Sequence, residues 1–152
     1  MGFSSSKKTE EKNINKKIKI KGILYNKINN EIIYEGELID GKCDGKGKYI
    51  FETGDYYVGI FKNGLREGKG IQYYKNNKIQ YEGMWKEDKR NGSGKYYYEN
   101  GDYFIGFWKN NEKVGKGELY DKNGEIIKVG DVTDIITEEK NYNINLKDLI
   151  FK

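Results

Sequence analysis

Three sets of glycines in this chain keep one rhythm. Gly36, Gly59, Gly83, Gly106 and Gly130 are separated by 23, 24, 23 and 24 residues. Gly45, Gly68, Gly92 and Gly115 follow the same period, and so do Gly47, Gly70, Gly94 and Gly117. A fixed period of this length is the mark of a repeat architecture, in which each unit buries its apolar face against its neighbours. Whatever the chain folds into must therefore be built from one small unit, stacked.

Within each unit, apolar residues alternate with polar ones, so Tyr34, Gly36 and Leu38 share one face of a strand. The trios Tyr57, Gly59, Phe61; Tyr81, Gly83, Trp85; and Phe104, Gly106, Trp108 repeat the pattern. A polar turn follows, then a second alternating run such as Gly92, Gly94, Tyr96, Tyr98. Two alternating runs joined by a turn make a β-hairpin. The second turn carries Gly54, Asn76-Asn77, Asn100-Gly101 or Asn123-Gly124, residues that tolerate positive φ. The units of 24 residues are expected to place their extra residue in this turn, as in "KNNKIQ" at 75–80. The predicted fold is all-β: an elongated, single-layer, twisted antiparallel sheet of stacked β-hairpins.

The unit "YEGMWKEDKRNGSGKYYYENGDY", with Tyr81, Gly83, Trp85, Gly92 and Gly94, resembles the MORN repeat. Full repeats fall at 34–56, 57–80, 81–103 and 104–127, inside an array spanning 18–132. Ile18 to Leu24 reads as an extra strand whose Gly22 matches the register of Gly47 and Gly70. The array fades at its far end, where Asp121 replaces an aromatic residue and Lys128 replaces the next leading one. Gln72 also stands where an apolar residue is expected. Residues 133–152 form a tail or cap, strand or helix, with "NLKDLIFK" from Asn145 a candidate helix. The resemblance implies roles in membrane-associated assemblies, cytoskeletal organisation or homodimerisation, and binding of anionic phospholipid.

Charge separates the segments. Residues 1–33 hold eight lysines against Glu10, Glu11 and Glu31, whereas residues 34–130 are close to neutral, with 17 basic and 16 acidic side chains. A nucleic-acid-binding body would carry its charge as a stripe on the fold, so no nucleic-acid partner is expected. The start "MGFSSSKK" matches Met-Gly-x-x-x-Ser, the signal for N-myristoylation at Gly2. One myristoyl chain binds membranes only marginally, at about 10⁴ M⁻¹, and needs a second signal. Lys7, Lys8, Lys12, Lys16, Lys17, Lys19 and Lys21 supply one, at about 1 kcal/mol each near an anionic leaflet. Residues 1–17 are thus expected to be a flexible basic tether holding the chain at a cytoplasmic membrane face.

Site chemistry is sparse. The sequence has no histidine and one cysteine, Cys43, which aligns with Arg66, Arg90 and Lys113 in a turn. Imidazole catalysis and two-cysteine zinc sites are excluded, so neither an enzymatic activity nor a cofactor is expected. The expected function is a membrane-anchored scaffold for protein–protein assembly. The alternative is a soluble accessory or dimerisation subunit of a larger complex without membrane attachment. Candidate partner-binding residues are the aromatics Tyr57, Tyr81, Trp85, Phe104 and Trp108. Intramolecular packing is the competing explanation for them. A second stripe, Ile50, Tyr73, Tyr97 and Tyr120, falls on the face otherwise rich in charge. Gly92 and Gly94 are expected to share a face with Tyr96 and Tyr98, leaving open floor on which Trp85 and Trp108 can lie.

Overall fold

The computed structural model describes residues 17–136. It is one open ten-stranded sheet in which every strand pairs antiparallel with its sequence neighbours. The strands are β1 (Lys19–Tyr25), β2 (Ile32–Ile39), β3 (Lys42–Ile50), β4 (Tyr56–Lys62), β5 (Leu65–Tyr73), β6 (Ile79–Lys86), β7 (Lys89–Tyr97), β8 (Tyr103–Lys109), β9 (Glu112–Tyr120) and β10 (Ile126–Asp131). The added N-terminal strand is present, and Gly22 pairs with Gly36 as the glycine rhythm requires.

Two kinds of turn alternate along the chain. The first kind is a two-residue hairpin loop with both residues at positive φ: Asp40-Gly41, Asn63-Gly64, Glu87-Asp88 and Asn110-Asn111. This geometry matches the right-handed twist of the strands it joins. In the second kind, the amides of Phe51, Tyr74, Tyr98 and Asp121 donate to the carbonyls of Asp55, Lys78, Asp102 and Glu125. All four of these turns have the same length. The extra residue of the longer units therefore does not lie in the turn, as the sequence suggested. It forms a β-bulge, where Gln72 pairs with Tyr81 but Tyr73 pairs with Ile79, skipping Gln80. Ile127 is skipped in the same way before Lys128. The closed hydrogen-bonding ring of the turn cannot take another residue, so the strand absorbs it.

The core lies within the thickness of the layer. Tyr34, Tyr57, Tyr81 and Phe104 have no exposed surface. Each ring rests on the glycine pair of its own hairpin; a Cβ built on Gly70 would meet the Tyr57 hydroxyl at 2.0 Å. The glycine floor is thus real, but its occupant is the leading ring of the unit rather than Trp85 or Trp108. Those rings stand edge-on between leading rings: Trp85 lies 5.3 Å from Tyr57 and 5.2 Å from Tyr81. Trp108 lies 5.4 Å from Tyr81. Edge-to-face packing of this kind adds about 0.5–1.5 kcal/mol per pair beyond area burial. It couples each unit to the next.

The first glycine of each Gly-x-Gly behaves differently from the second. Gly92 has φ of +104°, and a Cβ there would face Met84, on the side away from Trp85. It does not share a face with Gly94, as the simple alternation implied. A bulge intervenes, because Gly83 pairs with Gly94 while Trp85 pairs with Arg90. A left-handed bulge residue resets the alternation and sends Arg90 to the aromatic side.

At the far edge, residues 132–136 form a helical turn. Val132 and Ile135 enter the core there, Ile135 with no exposed surface. Of the segment expected to be a tail or cap, residues 133–136 thus belong to a cap on the aromatic face. The candidate helix from Asn145 lies outside the described residues.

Candidate functional site

The aromatic face is closed by a column of cations. The register places Cys43, Arg66, Arg90 and Lys113 opposite Leu38, Phe61, Trp85 and Trp108. The Arg66 guanidinium lies 4.2 Å from the centre of the Trp85 ring. Its Nε donates to Asp88 Oδ1 at 3.1 Å, Nη2 to the Asp88 carbonyl at 2.8 Å and Nη1 to Gln72 Oε1 at 3.0 Å. Gln72 is buried, which explains a polar residue at an expected apolar position: it satisfies a guanidinium. Arg90 repeats the stack 4.4 Å from Trp108 and donates to the Asn111 carbonyl at 3.2 Å. Burial pulls its pKa below the usual guanidinium range. Cys43 is buried in this column, and burial pushes its thiol pKa up, away from the reactive thiolate.

Hydroxyls are satisfied on the same face. Tyr34, Tyr57 and Tyr81 donate to the carbonyls of Glu37, Ile60 and Met84 at 2.8, 3.2 and 3.1 Å. Burial pushes the pKa of each phenol up to about 12.

The candidate contact residues Tyr57, Tyr81, Trp85, Phe104 and Trp108 are thus all buried, none more than 5% exposed, as the packing explanation requires. Their surfaces are spent on one another, so in this conformation they are packing residues and offer a partner nothing.

The opposite face is uncovered. Ile50, Tyr73, Tyr97 and Tyr120 lie on it, half-buried. Sequence reading missed the residues that join them. Ile50 pairs with Tyr56, Tyr56 with Tyr73, and Tyr73 with Ile79. Tyr97 pairs with Tyr103, Tyr103 with Tyr120, and Tyr120 with Ile126. The result is a row of rings and isoleucines running across the strands. Tyr56, Tyr103, Ile79 and Ile126 follow the second turn, and reading the turn partners together would have found them. Beside the row, Val58, Ile105 and Phe107 are 41, 39 and 58% exposed. Apolar residues gathered uncovered on one face make it the candidate interaction surface of the sheet.

Of the basic residues assigned to membrane attraction, Lys19 and Lys21 belong to β1, as the strand expected at Ile18 to Leu24 implies. Lys19 pairs with Glu37 at 3.3 Å and Lys17 with Asp40 at 3.6 Å. Gly2, Lys7, Lys8, Lys12 and Lys16 lie outside the described residues. Among the described residues, no group of three or more His, Cys, Asp or Glu side chains is placed to hold a metal ion.

Comparison with known protein families matches the MORN repeat to residues 34–56, 57–79, 81–103 and 104–126. These matches coincide with the hairpins whose leading rings rest on paired glycines. Repeats of this kind generally serve in protein–protein or membrane-associated scaffolding and are generally non-catalytic. The chain belongs to the MORN-repeat family.

Proposed function

We propose that this chain is a non-enzymatic scaffold that assembles a protein partner at a cytoplasmic membrane face, held there by N-myristoylation of Gly2 and the basic residues that follow it. The observation that carries the assembly role is the uncovered face, with its tyrosine row and exposed Val58, Ile105 and Phe107. A single-layer sheet has no second layer to bury such a face, so a partner is its natural cover. The anchoring role rests on "MGFSSSKK" and on the lysine excess of residues 1–33. Lipid attraction belongs to that segment rather than to the repeats, whose charge is nearly balanced.

The test is co-sedimentation with vesicles containing phosphatidylserine, using chain produced with N-myristoyltransferase. Wild type should pellet with the vesicles and Gly2→Ala should remain largely in the supernatant. Equal pelleting of the two removes the acyl anchor. A chain that never acquires myristate returns the function to a soluble accessory or dimerisation subunit.

A further inference from the structure

The uncovered face has a longer period than the repeat. Tyr56 and Tyr103, Tyr73 and Tyr120, Ile79 and Ile126, and Lys48 and Lys95 are each 47 residues apart, two repeats. Tyr56 and Tyr73 stack at 4.6 Å with 12° between their planes, and Tyr103 and Tyr120 at 4.9 Å with 13°. Each stacked pair carries one lysine: Lys48 lies 4.3 Å from the Tyr56 ring centre and Lys95 3.6 Å from that of Tyr103. The face therefore presents two equivalent aromatic fins.

The turns show why a gap separates the fins. Asp55 Oδ1 accepts the Lys75 amide at 3.0 Å and so ties the first of the Gly- and Asn-bearing turns to the second. Asp102 Oδ1 ties the third to the fourth through the Lys122 amide at 3.0 Å. Between the second and third, the matching residue is Lys78, whose side chain can only donate. A groove of ≈ 910 Å³ opens there, with Ile79, Tyr97, Lys75, Lys78 and Glu99 in its walls.

We propose that this row is a docking track for a proline-rich segment of a partner protein in the polyproline II conformation. The inference rests on the scaffold reading above for its premise that the sheet binds a protein. The spacing is the first argument. Equivalent fins are four strands apart, about 19 Å at the spacing of paired strands. Six polyproline II residues span about 18.6 Å, two full turns of three residues. A segment lying across the strands thus presents the same side to both fins. Chemistry is the second argument. Such a segment has apolar ring faces and carbonyls without internal partners, and it binds at grooves lined by aromatic side chains. Tyrosine offers it a flat ring, and the hydroxyls of Tyr73 and Tyr103 can donate to it, whereas those of Tyr56 and Tyr120 already donate to Asn77 and Glu118. Charge is the third. Lys48, Lys95, Lys75 and Lys78 flank the track and outnumber Asp55 and Glu99 in the groove wall and Glu118 beside Tyr120, so the segment carries acidic residues between its prolines. The chain itself contains no proline, so the occupant is not a second copy.

The test is fluorescence anisotropy on the full chain with two labelled peptides. One repeats Pro-Pro-Glu over about twelve residues, long enough for both fins; the other replaces every Pro with Gly. The proline peptide should bind at least about tenfold more tightly, because only it is preorganised. Tyr56→Ala and Tyr103→Ala should each weaken it by about tenfold, while thermal melting reports that the sheet persists. Equal binding of the two peptides would reduce the track to a charged surface and overturn the proposal. So would absence of binding, or tyrosine variants that bind as wild type does. Sedimentation velocity adds one further arm: a dimer that Tyr103→Ala dissolves would make a second copy the occupant and also overturn it. The vesicle experiment is independent, so the anchored scaffold stands or falls separately.

Discussion

The ring of Tyr81 lies flat on Gly94, so close that a Cβ at Gly94 would sit 2.2 Å from the phenol oxygen. Glycine here supplies absence of a side chain rather than backbone freedom. Gly94→Val should destabilise the sheet by about 3 kcal/mol despite the better strand propensity of valine, because the ring has nowhere to move in a packed row. Gly115 is the control. It needs its φ of +67°, but no atom lies within 4 Å of a Cβ built there. Gly115→Ala should cost only the backbone term, about 1 kcal/mol. Thermal melting of the two variants checks the order; a smaller loss at Gly94 would refute the packing account.

Alkaline pH should unfold the array through its buried phenols. Tyr34, Tyr57 and Tyr81 have pKa values of about 12 in the fold, raised by burial from an ordinary value of 10.0. A raised folded pKa means that the unfolded chain releases its protons first. The stabilisation is complete below pH 10 and is lost as pH rises through 12. The expected loss is on the order of 2 kcal/mol per ring. A melting series from pH 9 to about 12 reads it. Phe104 fills the same place in the last full repeat without a hydroxyl. Tyr81→Phe should therefore be folded, lose the bond to Met84 at a cost of about 1 kcal/mol at pH 7, and show a shallower alkaline decline.

The hairpin order, the leading rings and the half-repeat at β1 were legible because period and alternation are properties of single strands. Three features were not, and each depends on how neighbouring strands meet. The bulge at Gln80 preserves a turn whose hydrogen-bonded ring has a fixed size. The left-handed conformation of Gly92 reverses the face of everything before it, a change that alternation alone cannot reveal. The tyrosine row needs Tyr56 and Tyr73 to be cross-strand partners, and their positions mean little until the register is known. Burial of Tyr57 and Trp85 followed the same logic: an aromatic stripe wide enough to attract a partner was wide enough to bury itself.

Arg66 and Gln72 should behave as one unit. Gln72→Leu restores the apolar residue that the repeat pattern favours, yet it strips Nη1 of its acceptor within a stack on Trp85. It should cost about 1–2 kcal/mol. In an Arg66→Ala background the same change should be neutral or stabilising, since no guanidinium remains to satisfy. A double-mutant cycle by chemical denaturation should give a coupling of about 1 kcal/mol or more. A coupling near zero would mean that the bond of 3.0 Å contributes nothing in solution.

Among the described residues, Glu87 is the turn residue that works against its turn. Its φ is +49° and that of Asp88 is +65°, the left-handed pair of a two-residue hairpin loop. Asn63-Gly64 and Asn110-Asn111 meet the same demand with residues that tolerate it. Glutamate does not; its amide donates to Glu67 Oε2 at 3.2 Å, a bond that any residue at this position can keep. Glu87→Asn should stabilise the sheet by about 0.5–1 kcal/mol, raising Tm by roughly 2–4 °C. The neighbouring change separates strain from contact. Asp88→Gly relieves the same kind of strain but removes the carboxylate that accepts the Arg66 amide at 2.8 Å and its Nε at 3.1 Å. It should be destabilising on balance, because a half-buried guanidinium then loses its only charged partner among the described residues. If both variants shift Tm in the same direction, the role assigned to Asp88 is wrong.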